Sequence, residues 1–381
     1  MKRIVIACDG TWKRIDAERP TNVARLAQAV LPAAPDGVAQ VVCHLDGVGT
    51  GRGTGGLARM LDRTLGGLFG QGLTATLAAA YRFLVFTYAP GDEVYLFGFS
   101  RGAFTARSLA GLIRNCGILE RDEASAIPAA LAFYRDRGAA SRPDSPAALA
   151  FRARHAGHVV LGPQEAAWRA EAGGPAGLAL RLVYLGIWDT VGALGLPGHM
   201  RLAARLNRGL AFHDTALSGC VAAARHAVSI DERRRGFPPT LWHNLAALNG
   251  GRVRGAYQQR WFPGDHGSVG GGGVVTGLSS DALVWVAEGA AAAGLALDPA
   301  ALAGWAAERD AAAPLMARGA AAPGIIDRML EIAPRPRRGP GALLDLAPAA
   351  LARWARDPGY RPQALARLAA ALEAAAERGA A

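Results

Sequence analysis

The chain has 381 residues, 51% of them hydrophobic and 19% charged, with 49 Gly and 22 Pro that follow no period. This is globular material for about two domains, or one large α/β domain with an appendage, and it excludes a disordered or collagen-like chain. The formal net charge is +11, and Lys2 and Lys13 are the only lysines, so 40 of the 42 basic residues are arginine. That surplus reads as solvated surface, with an anionic membrane surface as the partner it would suit; no RRM, zinc-finger or Arg/aromatic stacking pattern appears, so nucleic-acid binding is not expected.

In chain order, Met1-Lys2-Arg3 leads into an apolar run too short for a signal-peptide core and without a cleavage site. It predicts a first strand over 3–8, ending in Asp9-Gly10-Thr11, and makes cytoplasmic residence the default expectation. A second strand follows over 41–45, ending in Asp46-Gly47. The loop from Gly47 to Gly56 lacks the G-K-[ST] ending of a phosphate loop, so nucleotide binding is not expected. Residues 64–81 carry no charge, but they contain several Gly and Thr between Arg63 and Arg82, which predicts a buried helix rather than a membrane span.

After the Pro90-Gly91 turn, Glu93 to Phe99 is apolar on both faces, as a strand covered on both sides must be. Phe104, Leu109, Leu112 and Ile113 then recur at helical spacing, so strand, turn and helix meet at Ser100. Residues 120–178 read as a helical insertion without a clear strand, a candidate lid. Further strands are predicted over 180–188, 225–230 and 255–262, which makes an α/β fold with a mainly parallel sheet flanked by helices. That catalytic domain is expected over 1–293 and an Ala-rich helical region over 294–381. Within the latter, Pro334 to Pro340 reads as a linker, and a last helix over 362–378 carries Leu365, Leu368 and Leu372 on one face to pack on the main domain. The four cysteines, Cys8, Cys43, Cys116 and Cys220, suit neither a disulfide framework nor a CxxC zinc site, and read as small hydrophobes in a reducing compartment.

The strongest chemical signal is Gly98-Phe99-Ser100-Arg101-Gly102, a G-x-S-x-G in the strand-turn-helix setting that exposes a nucleophilic hydroxyl above a sheet. The competing reading of Ser100 is a helix cap. A Ser nucleophile needs a base, and the base an orienting acid. His266 follows a strand in a Gly-rich loop and is the candidate base; His44 and His226 lie within strands. Asp189, at the end of the strand closing in Trp188, is the candidate acid, with Asp231 as its competitor, otherwise a partner for Arg233 or Arg234. Asp265 reads as a loop hydrogen-bonding residue. The order Ser100, Asp189, His266 is that of α/β-hydrolases. The N–H groups of Arg101, Gly10 and Thr11 are the candidate oxyanion donors. Asp9-Gly10-Thr11 also resembles the end of the haloacid-dehalogenase D-x-D-G-T pattern, but Ala7 stands where the nucleophilic Asp would be, and Asp9 reads as a loop organiser rather than a metal ligand. No cofactor and no metal are expected.

Seven motifs in order, Asp9-Gly10-Thr11-Trp12, Pro20-Thr21-Asn22-Val23, Gly47-Val48-Gly49-Thr50, Gly98-Phe99-Ser100-Arg101-Gly102-Ala103, Trp188-Asp189-Thr190-Val191-Gly192, Asp231-Glu232-Arg233-Arg234 and Trp261-Phe262-Pro263-Gly264-Asp265-His266, resemble the type VI secretion phospholipase effector-like α/β-hydrolases. The resemblance covers about residues 1–290. It implies a Ser-Asp-His triad at Ser100, Asp189 and His266, an acyl-enzyme, a glycerophospholipid ester as substrate, and export by contact-dependent secretion. Many members carry an Asp two residues after the histidine, where this chain has Ser268. The rival expectations are an esterase or thioesterase on another substrate, and an idle hydrolase fold that binds anionic lipid or nucleic acid.

Overall fold

The computed structural model of the chain describes residues 1–10, 15–47, 66–136, 138–192, 216–234, 236–252, 255–316 and 335–380. The first half holds β1 (Arg3–Cys8), α1 (Asn22–Ala29), β2 (Gln40–Leu45), α2 (Gly66–Thr87), β3 (Glu93–Phe99) and α3 (Arg101–Cys116). An insertion follows with α4 (Ile127–Arg135), α5 (Pro146–His155), β4 (Val159–Val160), α6 (Pro163–Glu171) and β5 (Leu178–Ala179). The sheet resumes with β6 (Arg181–Trp188), β7 (Val221–Ser229) and β8 (Tyr257–Phe262), then come α7 (His266–Gly270), α8 (Gly277–Ala292) and α9 (Pro299–Ala307). The tail carries α10 (Pro348–Arg356) and α11 (Ala369–Ala380).

Six strands form one sheet in the order β2-β1-β3-β6-β7-β8, each neighbouring pair parallel, which is the expected α/β architecture. The continuous apolar runs of β1 and β3 arise because alternate side chains enter two different cores. Ile4, Ile6, Val94 and Leu96 face a core shared with Leu84 of α2 and Leu109, Leu112 and Ile113 of α3. Val5, Tyr95 and Phe97 face the other, with Leu26 of α1 and Leu283 and Val286 of α8.

The insertion contains a short parallel pair, β4 with β5, that its composition did not reveal. It is anchored by buried Arg152, whose Nη1 donates to the carbonyls of Arg114, Asn115 and Pro143 at 3.2, 3.1 and 2.8 Å while its Nε meets Glu165 at 2.9 Å. That anchorage lies at the end of α3 remote from Ser100, some four turns along the helix.

The tail forms a third core against the β7–β8 end of the sheet, where Leu346, Trp354, Leu365 and Leu372 meet Val228, Ile230 and Trp261. The leucine face expected over 362–378 thus packs on the main domain, although the segment opens as a 3-10 turn, Gln363–Leu368, before α11. Among the described residues no helix is long and apolar enough to cross a membrane.

Two glycines allow α3 to rise directly from the sheet. A methyl group on Gly102 would sit 2.0 Å from the Cys8 carbonyl oxygen, and one on Gly98 would sit 2.5 Å from the Gly102 carbonyl oxygen. Backbone meets backbone here, so no side-chain rotation relieves the clash. Gly102→Ala is therefore expected to cost about 3 kcal/mol or more of stability, read by urea denaturation; a loss under about 0.5 kcal/mol would contradict this packing.

Candidate active site

β3 ends at Phe99, and Ser100 turns the chain into α3 with φ 59 and ψ −120, one of only two non-glycine residues with positive φ among the described residues. The other is Asp189, φ 37, which follows β6. Such backbone states cost of order 1–3 kcal/mol each and persist only where the surroundings impose them. At Ser100 the amide N–H still donates to the Trp188 carbonyl at 3.0 Å, tying the turn to the neighbouring strand. Its side chain makes no helix-capping hydrogen bond, which removes the competing reading of this serine. Instead its Oγ lies 2.8 Å from His266 Nε2.

His266 begins α7, with Asp265 as the N-cap whose carboxylate accepts the Ser268 N–H at 2.8 Å. The imidazole is flanked by the Phe99 ring at 4.6 Å and by the edge-on Phe237 ring at 5.0 Å, and its Nδ1 lies 2.6 Å from Asp189 Oδ2. The His266 backbone N–H donates to Glu232 Oε2 at 3.3 Å, and Glu232 holds Arg234 through both oxygens. Asn22, at the start of α1, secures α7 by donating to the Val269 and Ser279 carbonyls, each at 2.9 Å.

Asp189 is fully buried. Its Oδ1 accepts the Ser229 N–H at 3.0 Å, and the Arg337 guanidinium grips both oxygens, Nη1 to Oδ1 at 2.6 Å and Nη2 to Oδ2 at 2.9 Å. Burial alone would push this carboxyl up, but the charge of Arg337 and then the hydrogen bond and charge of His266 outweigh it and hold it well below the ordinary carboxylate range. The next residue is fixed by a second histidine: Thr190 N–H donates to His226 Nε2 at 3.3 Å, while Nδ1 faces Gln259 Oε1 at 3.0 Å. Burial, with the nearby charge of Arg107, pushes His226 down to about 3, so it stays neutral and holds backbone.

Asp9 follows β1 and gathers hydrogen-bond donors around its carboxylate. It accepts the Thr21 hydroxyl at 2.8 and 2.9 Å on its two oxygens and the Gly10 N–H at 2.6 Å, with His44 Nε2 at 3.4 Å. The Gly10 N–H is thereby turned onto its neighbour's carboxylate, a bond that competes with the oxyanion role expected of it; Thr11 lies outside the described residues. Arg101 opens α3 directly after Ser100, where a helix's first N–H groups have no intrahelical acceptor. Its guanidinium is pushed down to about 10 by burial. Among the described residues no three His, Cys, Asp or Glu side chains gather as a metal-binding group.

The structure thus brings Ser100, His266 and Asp189 into one hydrogen-bonded row at the C-terminal ends of β3, β6 and β8. The expectation for Asp231 needs correcting: it pairs with neither Arg233 nor Arg234 but accepts the Gly264 N–H at 2.7 Å and the Tyr360 hydroxyl at 3.0 Å, because its neighbour Glu232 takes Arg234. The stretch read as a linker also differs, for Arg337 within it is buried against Asp189. Its only sequence cue was an arginine cluster between prolines, which specifies no partner.

Residues 2–289 match the family model described as the T6SS phospholipase effector Tle1-like catalytic domain. The chain belongs to that family. A curated relative, an uncharacterized protein of Saccharomyces cerevisiae, is 28% identical over 244 residues, which is 62% of this chain and 32% of that protein. Two solved structures are also similar. One is an uncharacterized protein from Pseudomonas aeruginosa, at 20% identity and TM-score 0.40 over 78% of this chain and 46% of that one. The other is a Tle1 effector bound to a VgrG spike, at 19% identity and TM-score 0.37 over 72% of this chain and 52% of the other. This Tle1-like chain therefore spans about a third to a half of the length of these relatives. The tail that supplies Arg337 and Tyr360 lies beyond the matched catalytic domain.

Asp231 supplies a test of how this tail is joined to the site. Burial pushes its carboxyl up to about 6 against the hydrogen bonds from Gly264 and Tyr360, whereas an unfolded Asp titrates near ~3.9. Between these values the folded protein keeps a proton that the unfolded chain has lost, so stability falls as pH rises from about 4 to about 6. Asp231→Asn can still accept both bonds and is expected to flatten that slope and to add about 1–3 kcal/mol at pH 7. Urea denaturation from pH 4 to 7 reads it; a slope as steep as wild type in the variant would count against the shift.

Proposed function

We propose that this Tle1-like domain is a serine ester hydrolase with Ser100 as nucleophile, His266 as general base and acid, and Asp189 as the residue that orients the imidazole. The observation that carries the reading is the unbroken row from Ser100 Oγ to His266 Nε2 at 2.8 Å and from His266 Nδ1 to Asp189 Oδ2 at 2.6 Å. It starts at a strand-to-helix turn whose positive φ at Ser100 is that of a nucleophile elbow.

In the resting state Nδ1–H donates to Asp189, leaving Nε2 to accept the Ser100 hydroxyl. As Ser100 Oγ bonds to the ester carbonyl carbon, its proton passes to Nε2, and the negative charge forming on the carbonyl oxygen is met by the Arg101 N–H at the positive end of α3. The second donor we assign to the N–H of Gly10 or Thr11, and that of Gly10 would exchange Asp9 for the oxyanion. Collapse breaks the bond to the leaving alcohol, which takes the proton from His266 and leaves an acyl group on Ser100. Water then attacks with His266 again as base, releasing the carboxylic acid and restoring the serine.

Family membership supports a phospholipid as the source of that ester and delivery by a type VI secretion apparatus. The net charge of +11 suits an anionic bilayer as the place where it is met.

Wild type is expected to be labelled at Ser100 by a fluorophosphonate, located by mass spectrometry, and to release fatty acid from phospholipid vesicles. Ser100→Ala is expected to reduce turnover on the order of 10⁴-fold or more, and His266→Ala to abolish labelling. Turnover unchanged in Ser100→Ala would refute the nucleophile, and hydrolysis of short-chain esters with none of vesicle lipid would refute the substrate class.

A further inference from the structure

We infer that Arg337, delivered from the C-terminal tail, is a positioning residue for the Asp189–His266 pair, holding the Asp189 carboxylate in the plane from which it orients the imidazole. The inference rests on the triad reading and adds a component from outside the matched catalytic domain. The geometry is specific. A planar guanidinium lies edge-on to the carboxylate with one nitrogen on each oxygen, at 2.6 and 2.9 Å, the two-point contact that fixes a carboxylate plane. The same nitrogens donate to the Ser229 and Phe237 carbonyls, both at 2.8 Å. One side chain therefore joins the end of β6, the end of β7 and the loop that lays Phe237 against His266. The backbone around it is held as well, with the Arg335 N–H donating to the Arg233 carbonyl at 2.8 Å and buried Leu346 starting the third core a few residues on.

A neutral amide offers one nitrogen where Asp189 uses two, so the grip needs the guanidinium fork. A triad carboxylate normally favours the imidazolium form of its histidine. To do so it must stay ionised, and the fixed positive charge of Arg337 on its far side keeps it so despite full burial. The other charged groups around the pair are arranged differently. Glu232, which accepts the His266 N–H, is itself paired with Arg234; Asp265 is committed to the α7 N-terminus; His226 stays neutral. Among the described residues Arg337 is the arginine in direct contact with the triad carboxylate, and it is too deeply buried to touch substrate.

The test follows the second-order rate of fluorophosphonate labelling at Ser100 against pH, in the full chain. Arg337→Gln removes the fork, and its maximal rate is expected to fall about 10-fold with unaltered saturation by the probe. Arg337→Lys restores the charge without the two-point grip, so its maximal rate is expected to recover only in part, staying several-fold below wild type. A folded Arg337→Gln protein with the wild-type profile overturns the inference while leaving the triad intact. Should Arg337→Gln not fold, a wild-type rate in Arg337→Lys overturns the two-point grip. A wild-type protein that does not label at Ser100 at any pH overturns the triad reading and this inference together.

Discussion

A carboxylate with no exposed surface, Asp189, imposes the constraint around which the site is built. An ionised carboxylate taken out of water is costly unless each oxygen finds donors. Asp189 finds them on three separate pieces of chain: the Ser229 N–H on β7, the His266 ring after β8, and the Arg337 guanidinium from the tail. Because those partners are far apart in sequence, satisfying one buried charge also sets the relative positions of β6, β7, α7 and the tail. Removing a partner of such a group does more harm than the pair contributes in net stability, since the charge that remains is left stranded.

A second constraint meets it at the Ser100 end of the hydrogen-bonded row. The close approach of α3 to the ends of β1 and β3 leaves no room for a side chain at Gly98 or Gly102, and forces Ser100 into a positive-φ turn. Strain at Ser100 and at Asp189 is sustained by the same sheet, through the Trp188 carbonyl that accepts the Ser100 N–H and the Ala227 carbonyl that accepts the Asp189 N–H. The hydroxyl and the carboxylate are therefore held on neighbouring parallel strands, with the imidazole inserted between them from α7.

The arginine-rich composition acquires an interior meaning as well as a surface one. Arg152 ties the insertion to α3, Arg353 ties α10 to the Ala311 and Ala313 carbonyls, and Arg337 ties the tail to the site. In each case a fork of donors reaches across elements to carbonyls or a carboxylate, a task for which guanidinium geometry suits better than a lysine ammonium. Part of the net positive charge is thus spent on joining pieces of the fold rather than on attracting a partner.

The strands at 3–8 and 93–99, the glycine-flanked turn at Ser100 and the places of Asp189 and His266 at strand ends were all legible from the sequence, because each is encoded by neighbours in the chain: apolar runs, glycines where backbones touch, polar residues where a run stops. The sequence by itself determined a layered α/β domain and nominated the three residues. Which partners surround them was decided only in three dimensions. Arg337 lies 148 residues from Asp189, and Tyr360 lies 129 residues from Asp231. A proline-flanked arginine reads as solvated until a distant buried carboxylate is brought against it, since the free energy of that contact comes from a desolvated charge that no local pattern records.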